Sequence, residues 1–298
     1  MADAEATRSR AAALFPALFV LLWSTGFIAA KYGLPYAPPF AFLFYRFTLV
    51  AALMVVVSLA TGARWPGTVK EYRDLALVAL CVHGLYLGGV FVSLDSGMAA
   101  RTSAMLVGLQ PILTVLLARG WLGERVVPRQ WLGLALGVAG VWLVVWRKVA
   151  FTGDATALTA VLLALVGISI GTLYQKRYCS HVDMRCGAVI QFTGCAILYA
   201  PLVFFFETAP VRWTPQFAFA LGWAVVVLSV GAISLLYWLL RHGAASNVAG
   251  LFFLVPAVTA VMAWLLFDET LGALAIAGMV LISVGVALAR QTRDAPAP

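Results

Sequence analysis

Charge is scarce in this sequence. Asp, Glu, Lys and Arg make up 11% of its 298 residues, where a soluble domain carries roughly a quarter. So few charges cannot coat a water-facing surface, and 63% of the residues are hydrophobic; lipid has to be the solvent for most of it. Acids are absent from the middle of every apolar run: Asp3, Glu5, Glu71, Asp74, Asp95, Glu124, Asp154, Asp183, Glu207, Asp268, Glu269 and Asp294 all fall in tails, loops or run ends. A proton antiporter usually keeps a carboxylate at mid-membrane, and a cation exporter wants an acidic cavity, so this absence speaks against both. It leaves His83 as the one residue at depth of a type that titrates near neutral pH. The four cysteines (Cys81, Cys179, Cys186, Cys195) form no CxxC and suit no zinc site, so neither a disulfide framework nor a metal is expected. There is no HExxH, no P-loop and no intramembrane acid pair. Ser24, His83 and Asp95 assemble no triad from sequence, so an intramembrane enzyme finds poor support and no cofactor is expected.

What is present is a succession of apolar runs of spanning length. They cover approximately 12–30, 39–60, 74–94, 99–119, 128–146, 156–176, 187–206, 217–240, 244–266 and 271–289, which predicts an all-α membrane protein with ten transmembrane helices. The run Ala11 to Ala30 follows Arg8 and Arg10 as a signal peptide would, but its length and the runs behind it make it an uncleaved first helix. With the N-terminus inside, the inner segments hold Arg8, Arg10, Arg64, Lys70, Arg73, Arg119, Arg125, Arg129, Lys176, Arg177, Arg185, Arg241, Arg290 and Arg293. The outer ones hold Lys31, Arg101, Arg147, Lys148 and Arg212. That asymmetry puts both termini of an inner-membrane protein in the cytoplasm and explains the net charge of +8 without nucleic acid.

Sliding the chain against itself by 145 residues brings Ser24 onto Ser169, Gly26 onto Gly171, Lys31 onto Lys176, Pro111 onto Pro256, Thr114 onto Thr259, Glu124 onto Glu269, Gly133 onto Gly278 and Gly140 onto Gly285. The chain therefore reads as a tail 1–11, a first repeat 12–147, a second repeat 156–289 and a tail 290–298. An odd number of helices per repeat makes the two copies inverted, around a central cavity. The segments Pro111-Ile112-Leu113-Thr114 … Trp121-Leu122-Gly123-Glu124 and Pro256-Ala257-Val258-Thr259 … Leu266-Phe267-Asp268-Glu269 resemble the drug/metabolite transporter superfamily, and within it the EamA type. The first run, Trp23-Ser24-Thr25-Gly26-Phe27-Ile28-Ala29-Ala30-Lys31, is similar to the bacterial aromatic amino acid exporter subgroup. The resemblance implies a monomer or weak homodimer that exports aromatic or neutral amino acids, or related small metabolites, by alternating access. Related small multidrug transporters depend on a glutamate in their first helix; this chain has none there, which favours uncoupled export. A proton-coupled multidrug or metabolite exporter, using His83, is the alternative.

Candidate functional residues follow from polarity at depth. His83 and Tyr86, three apart on the third run, share a face of an α-helix; they either bind a polar end of the substrate in the cavity or glue helices together. Trp23, Ser24, Gln110, Tyr237, Trp238, Ser246 and Asn247 could supply flat walls, hydroxyls and amides to a substrate; each aromatic could equally be core or an interface anchor. Pro111 and Pro256 are a symmetric pair of kinks. Arg46, roughly 10 Å below the outer end of its helix, could pair with Asp95, the expectation ranked first, or snorkel outward, or attract a substrate carboxylate. Its repeat mate is Gln191.

Overall fold

The structure, a computed structural model, describes residues 2–98, 100–124, 126–145, 155–267 and 272–289; Asp268, Glu269 and the tail 290–298 lie outside them. It is helical throughout, with no strand among the described residues. We number the helices α1 (Ala2–Gly33), α2 (Pro39–Ala60), α3 (Val69–Asp95), α4 (Ala100–Val107 and Gln110–Trp121), α5 (Pro128–Val145), α6 (Ala155–Tyr178), α7 (Met184–Phe206), α8 (Pro215–His242), α9 (Ala245–Gly250, then Leu251–Phe253 and Leu254–Phe267) and α10 (Ala273–Ala289). Among the described residues eight segments are long and apolar enough to cross a membrane, the first being Leu14–Gly33 within α1; α10 is apolar but 17 residues long. Large apolar side chains such as Phe204, Phe205, Phe206, Leu59 and Phe219 lie exposed on the outside of the bundle, as a surface solvated by lipid requires. This is a multi-pass membrane protein.

Helix starts follow local chemistry. Thr68 and Glu71 form a reciprocal capping box at α3. Asp183 caps α7, and Thr214 caps α8 ahead of Pro215. At α2 the N-cap is Pro38, which has no side-chain acceptor, and Glu207 from the end of α7 supplies one: its two oxygens accept from the Phe40 and Ala41 amides at 2.7 Å each. Burial pushes the Glu207 carboxyl up, against those two hydrogen bonds.

The packing is symmetric when the halves are exchanged. Repeat mates pack on one another: α2 on α7, α4 on α9, α5 on α10. The pairs α3–α6 and α4–α6 are answered by α8–α1 and α9–α1. Between α5 and α10 the backbones touch. A methyl group at Gly133 would lie 2.5 Å from the Gly285 carbonyl oxygen, and one at Gly140 would lie 2.7 Å from that of Gly278. Early meets late in both contacts, so these mate helices run antiparallel. Small residues permit this approach, and in lipid close packing is what drives association.

Both repeats also carry an irregularity at the same place. Residues Ala79–Leu87 of α3 and Ala224–Ala232 of α8 are π-helical, Ala79 falling on Ala224 and Leu87 on Ala232. The i→i+5 pattern widens the turn and is concentrated at functional sites in proteins generally. In α3, side chains of α7 supply extra donors to its carbonyls: Tyr199 Oη donates to Gly84 at 2.8 Å and Cys195 Sγ to Ala79 at 3.3 Å. The prolines mark the other break. Pro111 sits in the first turn after the interruption of α4 at Gly108-Leu109, and Pro256 just after the 3-10 turn Leu251–Phe253 of α9.

Candidate functional site

The two π segments face one space. It is walled by Trp23, Gly26 and Phe27 of α1, Arg46 of α2, Tyr86, Leu87, Val90 and Phe91 of α3, and Leu228, Ala232 and Ile233 of α8. Its empty volume is about 420 Å³, counting the open mouth. Trp23 lies parallel to Tyr86, centroids 5.9 Å apart at 16°, and its indole N–H donates to the phenol oxygen at 3.2 Å. Phe252 of α9 meets Trp23 edge-on at 5.2 Å. The pair is thus held as one flat apolar wall with its polar atoms joined.

Arg46 is 3% exposed. Its Nε donates to Ser229 Oγ at 2.9 Å, across the bundle in the π segment of α8. No ion pair with Asp95 forms among the described residues, contrary to the first-ranked expectation. The reason is distance along the helix. Asp95 is exposed at the end of α3, nine residues beyond Tyr86, or roughly 13 Å at 1.5 Å per residue.

The expectation that His83 shares the cavity face with Tyr86 also fails. His83 is fully buried and does not line the space. Three residues along an α-helix leave side chains about 60° apart, but both lie within the π-helical Ala79–Leu87, where the wider turn spreads them onto different faces. His83 instead points at α7. Its Nε2 lies 3.2 Å from Gln191 Oε1, which as an acceptor requires the hydrogen on Nε2. Tyr237 Oη donates to the same oxygen at 2.8 Å, and Gln191 Nε2 donates to Gln175 at 3.1 Å. Gln191, the mate of Arg46, is therefore the hub of a buried network separate from the cavity. Gln191→Leu should leave His83, Tyr237 and Gln175 short of partners and cost roughly 2–4 kcal/mol, read as a lower unfolding temperature of the detergent-purified protein.

Other expected binding residues are placed elsewhere. Ser24 Oγ donates to Val20 and, at 3.4 Å, to Val255 of α9, tying two helices. Gln110 is buried on α4 with its Oε1 unpartnered and away from the cavity wall. Trp238 is half-buried, stacked on His242 and edge-on to Phe15. Asn247 is likewise absent from the wall. Ser246 belongs to a latch: Glu124 accepts from Ser246 Oγ at 2.7 Å, from the Ala245 amide at 2.9 Å and the Ser246 amide at 3.3 Å, and pairs with Lys176 at 3.3 Å. Desolvation raises the Glu124 pKa, but the Ser246, Ala245 and Lys176 contacts outweigh it and leave the carboxyl below its usual value. Ser229, Phe27 and Phe91 were missed by sequence reasoning. For Ser229, the signal was available only jointly with structure, since it occupies the second copy of a π segment.

Among the described residues no three His, Cys, Asp or Glu side chains come together as a metal site would need. The sequence pattern of the EamA-like transporter family matches residues 10–146 and again 155–291. A Bacillus subtilis protein named uncharacterized transporter YvbV is 30% identical over 93% of this chain and 90% of its own length. A probable terminal-alkyne amino-acid exporter of Streptantibioticus cattleyicolor is 28% identical over 89% and 91%, and a probable amino-acid metabolite efflux pump of Escherichia coli K12 is 26% identical over 93% and 94%. A solved crystal structure shares the fold, with a TM-score of 0.77 at 22% identity over 94% of this chain and 96% of that one.

Proposed function

The chain belongs to the EamA-like transporter family, and from that premise we propose that it exports small metabolites with an apolar or aromatic group, amino acids among them, across an inner membrane by alternating access. In this reading ten helices cross the bilayer, the halves are inverted, and both termini are cytoplasmic. The symmetric mate packing, the antiparallel glycine contacts of α5 and α10, and the matched π segments support the inversion. The observation that carries the functional reading is the space between α1, α2, α3 and α8, walled by Trp23, Tyr86, Phe27 and Phe91 and drawing on both halves. Names of relatives at 26–28% identity, an amino-acid exporter and a metabolite efflux pump, agree with it.

Export runs down the substrate's own gradient. Among the described residues no acidic side chain lies on the cavity wall, and His83 lies behind it at Gln191. The test is counterflow in proteoliposomes with a panel of aromatic and neutral amino acids and their relatives. Trp23→Ala should lower flux of an aromatic substrate on the order of tenfold, since an aromatic contact contributes about 0.5–1.5 kcal/mol beyond its buried area. Flux should be indifferent to an imposed pH gradient. Wild-type flux in Trp23→Ala would remove the wall from the binding site, and reporter fusions placing residues 150 and 290 on one side of the membrane would remove the inversion.

A further inference from the structure

Arg46 is a nearly buried cation whose one hydrogen bond goes to a neutral hydroxyl, Ser229, and which forms no ion pair among the described residues. A buried charge left without a counter-charge is costly. Snorkelling does not relieve it, because the Nε bond turns the side chain across the bundle toward α8. What remains beside the guanidinium is the cavity it lines. Guanidinium offers two parallel donors matched to a carboxylate, and Ser229 holds the third, Nε, so the fork is oriented before anything arrives. The Trp23–Tyr86 wall lines the same space and suits a flat apolar group.

Among the described residues the same wall has no carboxylate. A substrate ammonium would meet aromatic faces but also the repulsion of Arg46 in a low-dielectric space, where like charges interact strongly. Resting on the export reading above, we propose that Arg46 anchors the substrate's carboxylate, and that the site takes aryl and alkyl monocarboxylates at least as well as the corresponding zwitterionic amino acids, with amines and amides well behind.

The experiment uses four probes of one shape: 3-phenylpropionate, phenylalanine, 3-phenylpropionamide and phenethylamine. Each competes in counterflow by the full-length protein in proteoliposomes and is scored for thermal stabilisation of the purified protein. The expected order is 3-phenylpropionate equal to or ahead of phenylalanine, with amide and amine weaker by on the order of tenfold or more, the loss of a charge-assisted pair. Arg46→Gln should erase the difference between acid and amide, and Arg46→Lys should keep part of it. Ser229→Ala, which keeps the charge but frees Nε, should weaken the acid severalfold and leave the amide unchanged; this variant carries the test if Arg46→Gln does not fold. Equal binding of acid and amide by the wild type overturns the anchor, as does undiminished acid preference in a folded Arg46→Gln or in Ser229→Ala. If amines or amides are transported without any preference for acids, the anchor fails and the exporter stands. If none of the probes nor any amino acid is bound or moved, both fail.

Discussion

Gly89→Leu is expected to abolish folded protein in the membrane, with a cost of about 3 kcal/mol or more and no measurable transport from what survives. A methyl group at Gly89 would overlap the Ala160 carbonyl oxygen of α6 and lie 2.9 Å from Ala164 Cβ and 3.1 Å from the Ala164 amide nitrogen. The neighbours are backbone and an alanine, so no flexible side chain can swing away. The fit is closed from the other side as well: a methyl at Gly167 of α6 would lie 2.7 Å from the Cys81 carbonyl oxygen and 3.2 Å from the Tyr86 nitrogen. Lipid tails are as apolar as the helix surfaces, so the α3–α6 pair has no hydrophobic drive to fall back on once its packing is lost. Prising the helices apart would also displace Tyr86 and the wall it forms with Trp23. The measurement is the yield of monodisperse protein and its unfolding temperature. Gly222→Leu is the control, since a side chain there would meet nothing within 4 Å. Equal behaviour of the two variants would mean that α3 and α6 do not pack as described.

The second large effect is expected at Glu124. Its carboxylate holds together three segments: the loop after α4, the start of α9 through Ala245 and Ser246, and the end of α6 through Lys176, whose Nζ also donates to the Gly243 carbonyl at 2.6 Å. Glu124→Ala leaves the Ala245 and Ser246 amides at a helix start without their acceptor and takes the counter-charge from the half-buried Lys176, a loss of about 2 kcal/mol. The pH dependence follows from the sign of the shift. The folded-state pKa lies below the ordinary value of 4.5, so the contribution is complete above that value and fades as pH falls through the lower, folded one. Unfolding temperatures of wild type and Glu124→Ala should therefore differ by a constant amount from pH 6 to pH 8 and converge at more acidic pH. A difference that instead grows on acidification would contradict the latch.

Much of the architecture was legible without coordinates, because the cost of placing a charge or a bare backbone group in lipid forces long, uncharged, helical runs. Each apolar run from 12–30 to 271–289 has a helix over it, and the 145-residue repeat reappears as mate packing and as matched π segments. Trp23 and Tyr86 were identifiable as candidates and do meet at one wall. His83 was assigned the face of an α-helix that its π-helical turn does not have. Ser246 read as a substrate hydroxyl, although the acid that claims it, Glu124, is far away in the chain and near in the bundle.

Hydropathy, the charge census and the internal repeat, all properties of the chain alone, determined that this protein is a membrane bundle of two related halves whose acids fall in tails, loops or the ends of apolar runs. Only the tertiary structure decided which side of each helix looks inward. In water that choice is written as an apolar stripe, but in a bilayer the lipid-facing and partner-facing sides are both apolar, and the stripe disappears. Rotation is then set by glycine contacts such as Gly89 on Ala160, by the π turns, and by single polar bonds such as Arg46 to Ser229.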